Sequence, residues 1–475
     1  MIGRKREIES LRNACLKREA QLVAVYGRRR VGKTYLVRQT FGDRFAFSHT
    51  GLGRVDMAGQ LRKFQESLER HGSPHEEPPK DWIAAFRRLE GVIIRSRMKK
   101  KIVFIDELPW MDTHKSGFLS AFEGFWNGWG AARKDLVLII CGSATSWIVS
   151  KIFKNRGGLY NRITESIYLQ PFCLAECRLI CRDLGLSYSD VDIAELYMVF
   201  GGIPYYWSLL ERGKSVAQNI DALLFRRGGK LAREFDELYA SLFREGGGHL
   251  PCIRALLTRQ RGMTAQEILV KAGLGVGGAQ MKCLEDLDQC GFIRKFTALG
   301  KKKRDALYQL IDNFTLFHLK FLDGESNPDE HFWSHATTMP AVVTWRGLAF
   351  ERVCFQHVRQ IKKALGVAGV LTRVFSWRHV PTEAYPEGAQ VDLVIERADR
   401  IVNLCEIKFT QKPYVVTKAY DEKLRFRAAL FSDVAKMRLA PHLTMITPYG
   451  ISRSGYLSAF QSEVTLKDLF EDVES

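Results

Sequence analysis

Gly27-Arg28-Arg29-Arg30-Val31-Gly32-Lys33-Thr34 decides how the first half of this 475-residue chain folds. Its spacing is G-x-x-x-x-G-K-T. The run before it, Leu22-Val23-Ala24-Val25-Tyr26, is apolar and largely β-branched, which predicts a buried strand. Behind it, Tyr35-Leu36-Val37-Arg38-Gln39 continues with helix-compatible spacing. In that context the glycines let successive backbone N–H groups converge on a phosphate, and the helix N-terminus adds its dipole. Gly27 through Thr34, with Tyr35, are therefore candidate nucleotide-binding residues. Lys33 would reach the β- and γ-phosphates, and the Thr34 hydroxyl would hold Mg²⁺.

Two further strands complete this site. Lys101-Ile102-Val103-Phe104-Ile105 is an apolar run ending in Asp106-Glu107. Asp106 is the expected Mg²⁺ ligand, directly or through water, and Glu107 the group that polarises the attacking water. Leu136-Val137-Leu138-Ile139-Ile140-Cys141 ends in Gly142-Ser143-Ala144. Ser143 is placed either to sense the γ-phosphate or to cap a following helix. Residues 56–98 read as helical, with a proline-rich break from Pro74 to Pro79. Strands with helices between them predict a parallel α/β sheet with nucleotide at the strand C-terminal ends. Further on, Arg162 is a candidate arginine finger, in cis or from a neighbouring subunit of a homo-oligomer, or else a surface cation.

Composition narrows the class. The length calls for about three domains. The 46% hydrophobic and 26% charged residues are ordinary for a globular protein. The net charge of +18 is not, and it points to a polyanionic partner, with nucleic acid ahead of a membrane surface. Cys173, Cys177 and Cys181 recur every four residues and read as a buried apolar stripe, since no second ligand pair lies nearby. Scattered cysteines and no secretory signal suggest reduced thiols in the cytoplasm. The longest apolar run, Leu136 to Cys141, is too short to span a bilayer.

Gly3-Arg4…Glu7, the Tyr26–Thr34 loop, Ile105-Asp106-Glu107, Gln170-Pro171-Phe172 and Gly201-Gly202-Ile203-Pro204-Tyr205 together resemble the archaeal and bacterial AAA-type ATPases related to the STAND NTPases. The resemblance is strong over about residues 1–225 and weaker beyond. It implies ATP as the nucleotide, a lid of helices after the α/β core, and ATP used as a conformational switch.

Residues 252–310 carry a helix at Cys252–Leu257, a Thr264…Glu267 capping box opening a second helix that Gly273 stops, and a third from about Gly278 to Cys290. Phe292–Phe296 and Ala306–Leu310 read as a hairpin around Gly300-Lys301-Lys302-Lys303-Arg304. Three helices and a two-stranded ribbon predict a winged helix, with Lys301, Lys302, Lys303 and Arg304 on DNA phosphate. The third helix bears Glu285, Asp286 and Asp288, which argues against sequence-specific readout. An interdomain spacer with a solvated basic turn is the other reading. The same ATPases often carry a winged helix at this place, and Asp312-Asn313-Phe314…Phe317…Phe321 resembles their shared aromatic helix.

The last part contains Gln390-Val391-Asp392-Leu393-Val394-Ile395-Glu396, a short turn, and Ile401-Val402-Asn403-Leu404-Cys405-Glu406-Ile407-Lys408. Alternate strand residues share a face, so Glu406 and Lys408 point the same way and a hairpin brings Asp392 towards them. With Glu351 on the preceding helix, these residues resemble the PD-(D/E)xK restriction-endonuclease-like nucleases, with Val391 where proline is usual. The resemblance implies that Asp392 and Glu406 bind Mg²⁺, Lys408 orients or activates water, and Glu351 supports metal or water. A charged surface hairpin is the alternative.

The expected architecture is thus α/β and multidomain: a P-loop ATPase domain (1–170), a helical lid (171–235), a winged helix (236–325) and a nuclease-like α/β domain (326–475). The expected function is an ATP-hydrolysing protein that binds and cleaves DNA. The alternatives are a signalling or DNA-binding switch whose last domain serves only for contact, and a DNA-translocating motor.

Overall fold

The computed structural model describes all residues except 1, 43, 144, 155–157, 160, 244–246, 260–261, 276, 298–305, 325–328, 436–438, 454–455, 457–458 and 473–475. The chain divides into two compact units, Met1–Pro171 with Leu238–Glu245, and Phe172–Glu237 with Gly246–Ser475.

The first unit is built on strands β1 (Gln21–Tyr26), β2 (Phe47–Thr50), β3 (Lys101–Asp106), β4 (Leu136–Gly142) and β5 (Glu165–Tyr168). They form one sheet in the order β2-β3-β4-β1-β5. Every pairing in it is parallel. A parallel sheet is covered on both faces, so its central strands must be apolar throughout. All seven residues of β4 are buried, as are the first five of β1. One face is filled by Leu22, Ala24, Val103 and Leu138 against Phe64, Trp82, Phe86 and Phe118. The helices Met57–Arg70 and Trp82–Arg95 flank the proline-rich break, each started by an aspartate cap: Asp56 accepts from Gly59 N and Asp81 from Ala84 N, both at 2.8 Å.

Strands β2 and β5 are additions to the sequence reading. Phe47-Ser48-His49-Thr50 and Glu165-Ser166-Ile167-Tyr168 are four residues long and at least half polar, so neither shows the continuous apolar run that marks β1, β3 and β4. They are the two edge strands, where burial on both faces is not required.

The second unit carries two sheets. A small antiparallel one has β6 (Met263–Thr264), β7 (Ile293–Phe296) and β8 (Leu307–Leu310) in the order β6-β8-β7. Helices His249–Leu257, Ala265–Lys271 and Gly278–Gln289 accompany it, and Thr264 and Glu267 form the capping box at the start of the second. The basic turn Lys301, Lys302, Lys303 and Arg304 lies outside the described residues. The larger sheet is mixed, in the order β13-β12-β11-β10-β9: β9 (Thr372–His379), β10 (Ala389–Arg397), β11 (Ile401–Ile407), β12 (Ala440–Thr447) and β13 (Phe460–Thr465). β9, β10 and β11 pair antiparallel, β11, β12 and β13 parallel. Helix Pro340–Gln356 packs on β11, and helix Lys418–Ala435 on β10 and β12. Edge strand β13 escapes the sequence reading because Phe460-Gln461-Ser462-Glu463-Val464-Thr465 has mostly polar positions.

His357 ties two parts of this unit together. Its Nε2 accepts from Leu174 N at 2.9 Å, so the proton sits on Nδ1, which donates to Val353 O at 2.8 Å. Burial holds its pKa down at about 4. The ten cysteines are all free. Cys177 and Cys181 are buried, and burial pushes the Cys181 thiol up to about 12. Among the described residues no group of three or more His, Cys, Asp or Glu side chains could hold a metal, and no helix is long and apolar enough to cross a membrane.

Candidate functional site

The phosphate loop sits at the C-terminal end of β1. Gly27 and Gly32 take φ of +145° and +91°, values open to glycine and strained for other residues. A Cβ on Gly27 would lie 2.4 Å from Leu169 O, whereas one on Gly32 would meet nothing within 4 Å. Gly27 therefore serves the fit to the segment leaving β5, and Gly32 leaves the cradle open. Helix Lys33–Phe41 begins at once behind it. Lys33 is buried and donates from Nζ to the loop's own carbonyls, Gly27 O at 2.9 Å and Arg28 O at 2.8 Å. Thr34 Oγ1 donates to Asp106 Oδ2 at 2.7 Å. The two residues expected to share Mg²⁺ are thus already in contact across loop and strand. Tyr35 is exposed.

Glu107 has left-handed backbone angles (φ 48°, ψ 43°), uncommon for a residue with a side chain. Its carboxylate is held by Ser143, whose Oγ donates to Oε1 at 2.5 Å and whose N donates to Oε2 at 3.2 Å. The Ser143 hydroxyl is therefore spent on Glu107. The structure does not bring Arg162 to the loop. It is exposed on the segment that enters β5, close to Thr164, whose Oγ1 accepts from Leu22 N at 3.1 Å. That is the N-terminal end of β1, opposite the loop, so within one chain Arg162 is a strand length away from the phosphate site.

In the second unit the β10–β11 register pairs Leu393 with Cys405 and Val394 with Leu404. One step further sets Asp392 opposite Glu406 on one face. Asp392 accepts from Ile407 N at 3.3 Å and from Gln390 Nε2 at 3.1 Å. Lys408 Nζ lies 2.8 Å from Glu406 Oε1. Burial first, then the facing Glu406 carboxylate, raise the Asp392 pKa to about 6 against the pull of Lys408. For Lys408 burial works downward, but Glu406 and Asp392 outweigh it and the ammonium pKa is raised. Glu351 is half-buried on helix Pro340–Gln356; buried Cys354 on the same helix feels its charge together with that of Asp392.

Two residues of this site were missed in the sequence. Arg427 Nη1 donates to Glu406 Oε2 at 2.9 Å, and Tyr420 OH donates to Glu406 Oε1. They stand seven apart, two turns on one face of helix Lys418–Ala435. The spacing is visible in the sequence, but many exposed helices show the same pattern.

The comparisons agree with the first unit. Residues 1–210 match a family described as an ATPase domain predominantly from Archaea. Motif, parallel sheet and family match together identify a P-loop ATPase domain there. An uncharacterized protein of Methanocaldococcus jannaschii is 24% identical over 431 residues, covering 89% of this chain and 91% of its own length. Among solved structures, a Walker-type ATPase of Pyrococcus abyssi aligns with a TM-score of 0.48 and 18% identity, over 67% of this chain and 96% of its own. The ORC2 protein of Aeropyrum pernix aligns with a TM-score of 0.39 and 14% identity, over 75% and 95%.

Proposed function

We propose that the chain binds and hydrolyses ATP in its first unit and cleaves DNA with a metal-assisted site on its second large sheet, the nucleotide state gating cleavage. The observation that carries the second half is the Asp392–Glu406 pair with Lys408 on Glu406.

In the first unit Lys33 exchanges its carbonyl partners for phosphate oxygens. Thr34 and Asp106 would hold Mg²⁺, which screens phosphate charge when bound. Glu107, freed from Ser143, accepts a proton from the water whose oxygen attacks the γ-phosphorus as the bond to the β-phosphate oxygen breaks. Release of Glu107 from Ser143 is then the step that separates binding from turnover.

In the second unit the donor set suits a magnesium-type ion, which takes one or two carboxylates and keeps several waters. Burial first, and then repulsion by Glu406, raise Asp392, and a divalent cation between the two carboxylates would relieve that repulsion. Asp392 and Glu406 would hold it, and such an ion lowers the pKa of bound water and neutralises phosphodiester charge. Lys408 orients the attacking water or stabilises the charge that builds on phosphorus. Tyr420 and Arg427 fix the Glu406 carboxylate. The winged helix, with its basic turn, is the proposed DNA contact of this unit.

Because both Glu406 oxygens already have partners, a contact-only domain is the competing reading. Plasmid and linear DNA incubated with Mg²⁺ or Mn²⁺, with and without ATP, decide between them. Cleavage that is lost in Asp392→Ala is expected; equal inertness of wild type and Asp392→Ala in every condition would leave only the contact role.

A further inference from the structure

All five strands of the ATPase sheet run the same way, so all five are entered from the same end. The entering segments are residues 17–20 for β1, 42–46 for β2, 96–100 for β3, 129–135 for β4 and 158–164 for β5. Lys17 and Arg18 lead into β1 and Arg44 into β2. Arg97, Lys99 and Lys100 lead into β3, Arg133 and Lys134 into β4, and Arg162 into β5. In sequence these segments hold nine cations and three carboxylates, Glu19, Asp43 and Asp135. Over the whole chain 53 acidic residues accompany 71 Lys and Arg, so this rim is far more basic than the composition predicts. Asp135 is taken up within the rim, by Lys101 at 2.7 Å and Arg133 at 2.9 Å. Lys17, Arg18, Lys99 and Lys134 are exposed.

The rim is also built. Lys100 Nζ donates to Lys17 O at 2.6 Å and to Lys134 O at 2.8 Å, which staples the entries of three adjacent strands, β3, β4 and β1. Five strands at about 4.8 Å spacing make a row of about 19 Å. A duplex carries one charge per about 1.7 Å of axis with both strands counted, so a length equal to that row holds about eleven phosphates, of which the rim meets those on the near side. An acidic protein surface offers no such regular density.

We infer that this rim, at the end of the ATPase sheet opposite the phosphate loop, is a DNA-backbone contact separate from the winged helix and from the Asp392–Glu406 site. It rests on the DNA reading above only for the choice of polyanion. Contacts of this kind bind without reading sequence. Nucleotide and DNA occupy opposite ends of the same strands, so neither blocks the other.

The test is anisotropy of a short fluorescent duplex with the full chain in EDTA, across a salt series, comparing wild type with K17Q/R18Q/K99Q/K134Q. Loss of four phosphate contacts is expected to flatten the slope of log K against log salt by about 3 to 4, at about 0.9 per phosphate. Nucleotide binding by the variant, at the far end of the sheet, is expected unchanged and reports its folding. If the quadruple variant fails to fold, K17Q/R18Q and K99Q/K134Q are each expected to flatten the slope by about half as much. Unchanged affinity and slope overturn the inference, as does a loss confined to K301Q/K302Q/K303Q/R304Q. So does reduced binding to anionic lipid vesicles with DNA binding intact. If wild type binds no duplex, the DNA reading and this inference fall together; if it binds and does not cleave, only the nuclease reading falls.

Discussion

The two large sheets place their chemistry differently. In the parallel sheet of the first unit the central strands β1, β3 and β4 are buried on both faces, so polar groups gather where those strands end. Lys33, Asp106, Glu107 and Ser143 all follow or close a strand on that one end. In the mixed sheet of the second unit β10 and β11 form an antiparallel hairpin, and cross-strand pairing sets Asp392 against Glu406 within the sheet itself. The first arrangement keeps its lysine and carboxylates engaged with hydroxyls and loop carbonyls. The second holds two carboxylates face to face, with a lysine, an arginine and a tyrosine around one of them. Strand direction thus decides whether a site is assembled from loops or from strand faces.

The sharpest way to break this comparison is to silence each sheet alone. Lys33→Ala is expected to lower ATP turnover by about 10³-fold, since it removes the main cation on the transferring phosphate. Asp392→Ala is expected to bring DNA cleavage to background with ATP turnover intact. Steady-state ATPase and plasmid-nicking assays on both variants check this; loss of ATP turnover in Asp392→Ala would show that the sites are not independent.

Next in size are the residues around Glu107. Glu107→Gln is expected to lower kcat by about 10²-fold or more while nucleotide still binds. Ser143→Ala removes a hydrogen bond to a charged group, worth about 1.5–3 kcal/mol, and is expected to change kcat by about 10- to 100-fold. A faster Ser143→Ala enzyme would mean that Ser143 restrains Glu107; a slower one, that it aims it. Titration with a fluorescent ATP analogue separates binding from turnover in both.

Tyr420→Phe and Arg427→Met come third. As supports of a metal-ligand carboxylate they are expected to weaken Mn²⁺ affinity by about 10- to 100-fold, read by calorimetry. Tighter Mn²⁺ binding would show instead that they hold Glu406 away from the metal.

The smallest effect is in acid stability. His49, on β2 between Phe47 and Phe64, is held down to about 3, by burial first and then by Arg70 and Lys63. The unfolded chain takes up this proton near pH 6.5 and the folded one only near 3. Stability is therefore full above about 6.5 and falls as the pH drops from there to about 3. His357 does the same in the second unit, between about 6.5 and 4. His49→Phe is expected to flatten the acid limb of one melting transition and leave the other, as thermal melts from neutral to acid pH would read.

The legibility of each sheet follows the same physics. β1, β3 and β4 announce themselves because burial on both faces forces continuous apolar runs, and the glycine loop, Asp106 and Glu107 hang directly from their ends. β2, β5 and β13 stay hidden because edge strands tolerate polar residues. Asp392, Glu406 and Lys408 are readable because alternation along a strand fixes which residues share a face. Tyr420 and Arg427 are not, because their approach to Glu406 depends on how a helix packs across the sheet, which local spacing does not encode. Arg162 is not readable for a similar reason: only the strand order shows that within one chain it enters β5 from the end away from the phosphate loop.

The lysine of the phosphate loop has one more consequence. Its ammonium is already out of water, 5% exposed and satisfied by two carbonyls of the loop it serves. An incoming nucleotide therefore does not strip a hydrated cation; it trades two neutral acceptors for charged ones. The desolvation of this ammonium is thus already compensated within the fold, by Gly27 O and Arg28 O.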